Sequence, residues 1–280
     1  MYSRIVVAYT VTGEGRDALA LAGQLATGED ARIIVAHAIA SPPADRPRRG
    51  ALADVRTRVA LGRDAIAEVL GLDAPAVYRP LVDRPYPSTV HTLARRLDAG
   101  LIVAGQSRLG PIARALVGGG VPIEPLVAGA PCPVAIAPAG QQFRTDLPLG
   151  RIAVPCDGSV ESERALPFAL AIAEDAGCAL RLVAFDRAER AAVEAIAERL
   201  DTTVPVEVVA LHGDPARNLL GQHGEGADAI VVGCPDPSTA DGVPGGAMWS
   251  RVLRHATCPV WAIGPRAATS VRTRSRIAAA

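Results

Sequence analysis

Ile152-Ala153-Val154-Pro155-Cys156-Asp157-Gly158-Ser159 is a short apolar run that breaks abruptly into a small polar turn, the pattern of a buried strand leaving its sheet. An earlier stretch repeats it. Ile5-Val6-Val7-Ala8 matches Ile152-Ala153-Val154-Pro155, and Ala18-Leu19 matches Ala165-Leu166, both 147 residues apart. Further out, Leu101-Ile102-Val103-Ala104-Gly105 matches Ala229-Ile230-Val231-Val232-Gly233 at 128 residues, and Cys132-Pro133-Val134 matches Cys258-Pro259-Val260 at 126. One unit is written twice, and a missed repeat would misassign the whole fold. The separation shrinks by 19 residues between the second and fourth strands. There the first copy carries Ser41-Pro42-Pro43-Ala44-Asp45-Arg46-Pro47-Arg48-Arg49-Gly50, a Pro/Arg-rich loop on a longer crossover. It shrinks by 2 more inside the glycine-rich segment that follows the fourth strand.

Within the first copy, apolar runs and helical patterns alternate. Strands are predicted near 4–10, 32–38, 76–81, 100–105 and 133–137, and helices at 14–27, 52–70, 87–98 and 121–129. Strands apolar on both faces, separated by amphipathic helices, belong to parallel sheets covered on both sides. The predicted class is α/β: two doubly wound, parallel, five-stranded domains at 1–137 and 151–265. Residues 138–150 have the polar, Pro/Gly-rich character of a linker, and 266–280 read as a disordered basic tail.

Composition narrows the function classes. The formal net charge is +0 and the pI about 7.0, so no global field draws the chain to nucleic acid or an anionic membrane. Met1-Tyr2-Ser3-Arg4 runs straight into an apolar strand with neither a signal-peptide pattern nor a membrane span, and the chain is read as cytoplasmic. Every basic residue of the Lys/Arg class is arginine, which removes the P-loop ATPases, whose phosphate loop needs a lysine. Five cysteines, Cys132, Cys156, Cys178, Cys234 and Cys258, show no zinc spacing and read as reduced, mostly buried thiols; no metal is predicted.

The second copy continues to Arg164-Ala165-Leu166, passes Gly213-Asp214-Pro215 and the ADAIVVG run at 227–233, and closes on Arg251-Val252-Leu253-Arg254-His255-Ala256-Thr257-Cys258-Pro259-Val260. These motifs resemble the universal stress protein family, twice over nearly the whole chain. The resemblance implies a strand order of 3-2-1-4-5 in each sheet and, in members that bind it, ATP between the ends of strands one and four. It also implies that Pro133-Val134-Ala135-Ile136-Ala137 and Pro259-Val260-Trp261-Ala262-Ile263 pair antiparallel as an intramolecular pseudo-dimer, with a homodimer of tandems left open. The crevice at the carboxyl ends of diverging strands is in any case where an open parallel sheet holds ligands.

Both copies depart from the implied phosphate pattern, Gly-x2-Gly-x9-Gly-[Ser/Thr]. In copy two Pro155, Asp157, Gly158 and Ser159 form the turn after strand one, with Asp157 placed for adenine or ribose groups. Gly233 and Gly246 keep their separation, but Asp236 replaces the middle glycine and Ala247 the hydroxyl. In copy one Gly105, Gly110 and Gly120 supply glycines, yet Ser107 takes the first position of the pattern and Val121 that of the hydroxyl. Thr10 aligns with Asp157. Copy one therefore fits a phosphate better and copy two an adenosine. The expectation is a binding protein with degenerate ATP sites and no assignable catalysis, the alternative being a nucleotide-free protein-interaction module.

Other motifs carry less. Gly13-Glu14-Gly15-Arg16-Asp17-Ala18 fits a dinucleotide fingerprint, but the second strand ends His37-Ala38-Ile39-Ala40 without the ribose acid, so a structural turn is expected. Gly105-Gln106-Ser107-Arg108-Leu109-Gly110 misses the nucleophile elbow by one residue. His255 is read as capping a helix end.

Overall fold

The computed structural model describes residues 2–26, 30–39, 48–71, 74–82, 86–106, 121–185, 187–211, 219, 227–236 and 248–267. The chain divides into two compact units, Met1–Gly129 with Ile136–Leu147, and Pro148–Ala280 with Ala130–Ala135.

The first copy runs β1 (Arg4–Tyr9), α1 (Gly13–Leu25), β2 (Arg32–Ile39), α2 (Arg48–Leu70), β3 (Ala76–Val82), α3 (Tyr86–Arg96), β4 (Leu101–Gly105), α4 (Ile123–Gly129) and β5 (Val134–Ala137). Its strand order is β3-β2-β1-β4-β5, with β1 parallel to both β2 and β4. The continuous apolar runs predicted this burial: Ile5, Val6 and Val7 in β1 and Leu101, Ile102 and Val103 in β4 are all 0% exposed. β3 alternates half-buried and exposed residues, as an edge strand does. Boundaries shift where local chemistry decides. α2 starts at Arg48, inside the stretch read as loop, because helix-forming Arg and Ala follow the last proline. α4 starts at Ile123 instead of 121, with the Pro122 carbonyl accepting from Leu126 N.

The second copy repeats the scheme as β6 (Arg151–Pro155), α5 (Val160–Ala176), β7 (Ala179–Ala184), α6 (Arg187–Glu198), β8 (Val206–Ala210), β9 (Ala229–Gly233), α7 (Met248–His255) and β10 (Val260–Ile263). Its order is β8-β7-β6-β9-β10, again 3-2-1-4-5 within the copy. β6 pairs in parallel with β7 and β9, and β9 with β10.

Between the copies, Gln141–Phe143 forms a single 3-10 turn held against α1. The Asp17 carboxylate, 4% exposed, accepts from Gly140 N at 3.0 Å and Gln142 N at 2.9 Å. Gln141 Nε2 donates to Gln24 Oε1 at 2.6 Å, and Gln24 Nε2 donates to the Arg144 carbonyl at 2.9 Å. Where the second copy begins, the Asp228 carboxylate accepts from Gly150 N and Arg151 N, both at 2.9 Å.

Candidate functional site

The mouth of the second sheet opens because of one residue. β6 and β9 pair only at Ile152↔Ala229 and Ala153↔Ile230, whereas β1 and β4 stay paired over four rows, from Ile5↔Leu101 to Ala8↔Ala104. Pro155 stands at the Ala8 position and has no N–H to give a neighbouring strand. On the other side Cys156 N still reaches the Val183 carbonyl of β7 at 2.8 Å. The ladder is therefore lost only toward β9, and a crevice opens between the strand ends.

The turn into α5 is closed by short polar bonds. Gly158 has φ +74, a left-handed conformation in which a side chain would be strained. Asp157 Oδ1 accepts from Ser159 N at 3.0 Å and Ser159 Oγ at 2.6 Å. Ser159 Oγ caps α5 by accepting from Ser162 N at 3.2 Å, and Ser162 Oγ donates to the Ser159 carbonyl at 2.9 Å. Burial alone would raise the Asp157 pKa, but the bonds from Ser159 and Ser162 hold it below the usual carboxylate value. The neighbouring Cys156 thiol, 3% exposed, is pushed up to about 12 by burial and by the Asp157 charge, so it is an inert thiol at neutral pH.

These elements bound a cleft of about 280 Å³. One wall is Pro155, Asp157 and Ser159 with Glu161 and Ser162 from the first turn of α5; the other is Val232, Gly233 and Pro235. Trp249, in the first turn of α7, completes it, and its indole N–H is buried without an acceptor among the described residues. Gly233 has a structural task here. A Cβ on it would lie 1.9 Å from the Glu161 carbonyl oxygen, so glycine is what lets α5 sit against the end of β9.

Four of the candidate residues of copy two, Pro155, Asp157, Ser159 and Gly233, line this cleft, and Gly158 sets the turn between them; Gly246 and Ala247 lie outside the described residues. Sequence reasoning missed Glu161, Ser162, Val232, Pro235 and Trp249. The signal for the first two was their place in the helical turn just after the cap. For Trp249 it was a lone aromatic three residues past Gly246.

Copy one keeps the frame and changes its contents. Thr10 Oγ1 lies 3.0 Å from Thr12 Oγ1, and Thr12 caps α1 by accepting from Gly15 N at 3.3 Å, reproducing the Asp157–Ser159 geometry without the charge. A Cβ on Gly105 would lie 1.9 Å from the Glu14 carbonyl oxygen, the same close approach as Gly233 to Glu161. Val121 is 2% exposed, while Gly110 and Gly120 lie outside the described residues. Copy two has Cys156 just past β6 and Ala184 at the end of β7; at the equivalent positions copy one has the paired Tyr9 and His37. His37 is 1% exposed, shares a 2.6 Å hydrogen bond with the Tyr78 hydroxyl and meets Tyr9 edge-on at 5.0 Å between ring centres. The Tyr86 hydroxyl donates to the Ala36 carbonyl at 2.7 Å, and its pKa is raised by burial.

Among the described residues no group of three or more His, Cys, Asp or Glu is placed to hold a metal ion, and no helix is long and apolar enough to cross a membrane. The family model described as "Universal stress protein family" matches residues 1–138 and 183–264. A universal stress protein from Archaeoglobus fulgidus DSM 4304 is 18% identical, with 94% of this chain and 96% of that chain covered at a TM-score of 0.67. A functionally unknown protein from Pseudomonas aeruginosa PAO1 is 17% identical over 95% of this chain and 93% of its own, at 0.53. At these identities the likeness is one of fold. A universal stress protein in complex with cAMP, 23% identical, covers 50% of this chain and 99% of its own at 0.36, too low to bear on ligands here. No curated protein matches the chain.

Proposed function

The chain belongs to the universal stress protein family, and on that footing we propose that it is a cytoplasmic stress-response protein, regulatory or protective, that acts by binding and not by turnover. Its adenine-nucleotide sites are degraded in both copies, and the second copy retains the working one. The observation that carries this reading is the cleft at the diverging ends of β6 and β9, with the Asp157 carboxylate at its rim. Thermal unfolding of the full chain with adenosine, AMP and ATP at millimolar concentration tests it. A ligand at about ten times its Kd adds about 1.4 kcal/mol and raises Tm by a few degrees. We expect such a rise with at least one of the three and its loss in Asp157→Ala. An unchanged Tm with all three contradicts the reading.

A second reading, a nucleotide-free protein-interaction module of the same fold, draws support from donors already spent inside the protein. The Ser159 and Ser162 hydroxyls bond within the turn, and Arg164 Nη1 donates to the Cys234 carbonyl at 3.0 Å. An unchanged Tm in the same experiment is the result it requires.

A further inference from the structure

The second-domain cleft has a chemical bias that narrows its ligand, an inference that rests on the binding role just proposed. Its charged lining residues are Asp157 and Glu161, both acids, and neither has a cationic partner among the described residues. The chain has no lysine, and Arg164, one turn further along α5, is engaged with the Cys234 carbonyl. Both serine hydroxyl hydrogens are spent within the turn. The amino end of α5, which would attract an anion if bare, is capped by Ser159 and carries Glu161 and Glu163 in its first turn. What remains is an acceptor-rich, negatively charged rim beside apolar residues that include the Trp249 indole, whose N–H is the one side-chain donor left without an acceptor among the described lining residues. The volume of about 280 Å³ also lies just below the range of ordinary ligand pockets, about 300 to 1,000 Å³.

We propose that this cleft takes a small, uncharged or cationic ring compound rich in hydroxyl and amino donors, of nucleoside size and without phosphate, and turns nucleoside triphosphates away. The ring lies on Trp249 and the apolar wall, and its hydroxyl or amino hydrogens are donated to Asp157 and Glu161. A triphosphate would bring several negative charges beside two carboxylates with no side-chain cation among the described lining residues to offset them.

Adenosine and divalent-free ATP are the probes. Each is titrated calorimetrically into the full-length protein at low salt, and Trp249 emission is followed in a Trp261→Phe background. Trp261 is 0% exposed in β10, so the calorimetry on unaltered protein stands if that variant folds poorly. We expect adenosine to bind about tenfold or more tighter than ATP and to perturb Trp249 emission. Glu161→Gln, which removes one repelling charge and keeps an acceptor, should narrow that ratio several-fold, chiefly by improving ATP. ATP binding as tightly as adenosine with a Trp249 response would overturn this inference and leave the binding role standing. Absence of heat and of any emission change with both compounds would overturn this inference, and the binding role with it when AMP also leaves Tm unchanged.

Discussion

Gly233 and Gly105 have the same task at different places in the sequence: each brings the end of a fourth strand against the first turn of a helix, with 1.9 Å between its virtual Cβ and a backbone oxygen. A methyl group there has no flexible neighbour to displace, so Gly233→Ala must push α5 away from β9. We expect a loss of about 3 kcal/mol in urea unfolding, a typical cost of overpacking a fixed backbone contact. If stability is unchanged, the close packing is wrong. His37 makes a different kind of claim. Burial, with Arg58 adding to it, lowers its pKa from 6.5 to about 4, so the folded protein keeps it neutral. The unfolded chain takes up a proton near pH 6.5 that the folded state refuses. The contribution of His37 is therefore complete above pH 6.5 and is lost as pH falls toward 4, with about 2 kcal/mol gone by pH 5. Unfolding free energies at pH 7 and pH 5 should show that difference between the native protein and His37→Gln, whose side chain does not titrate. Equal pH dependence in both would contradict it.

At the level of elements, the segment joining the copies is tied down at both ends, by Asp17 on α1 and by Asp228 ahead of β9. Asp17→Ala leaves two amides without their acceptor and should expose 138–147 to protease and to amide exchange, at a cost of about 2 kcal/mol. Unchanged protection there would mean that Gln141 and its partners on Gln24 and Arg144 suffice. Such a tie was not legible in the chain, because Asp17 and Gly140 lie 123 residues apart and nothing in a Pro/Gly-rich stretch announces its acceptor. The strands were legible, since continuous apolar runs such as Ile5–Ala8 and Ile152–Pro155 belong in a covered parallel sheet, whereas their 3-2-1-4-5 order came only from the family resemblance. The mouth was legible in part. A carboxylate and a glycine just after a strand stand out in sequence as Asp157 and Gly158. Trp249 and Glu161 join them only through the packing of α7 and α5, and the pairing lost at Pro155 becomes visible only when β9 lies beside β6.

For the molecule as a whole, duplication has left two copies of one frame with different contents. The first has Tyr9 and His37 paired near its strand ends, with His37 edge-on to Tyr9 and hydrogen-bonded to the Tyr78 hydroxyl, and the Tyr86 hydroxyl donating to the Ala36 carbonyl. In the second those strand-end positions hold small residues, Cys156 and Ala184, and an acidic cleft lies between β6 and β9. The binding role proposed for the second copy predicts that ligand binding follows it: Asp157→Ala abolishes it, whereas Thr10→Val leaves it intact. The most direct test is mass spectrometry of small molecules released by denaturing freshly purified full-length protein, beside an Asp157→Ala preparation. The account predicts a nucleoside-sized ring compound from the native chain, approaching one per molecule, and none from the variant. Equal release from both preparations, or from neither, would contradict it.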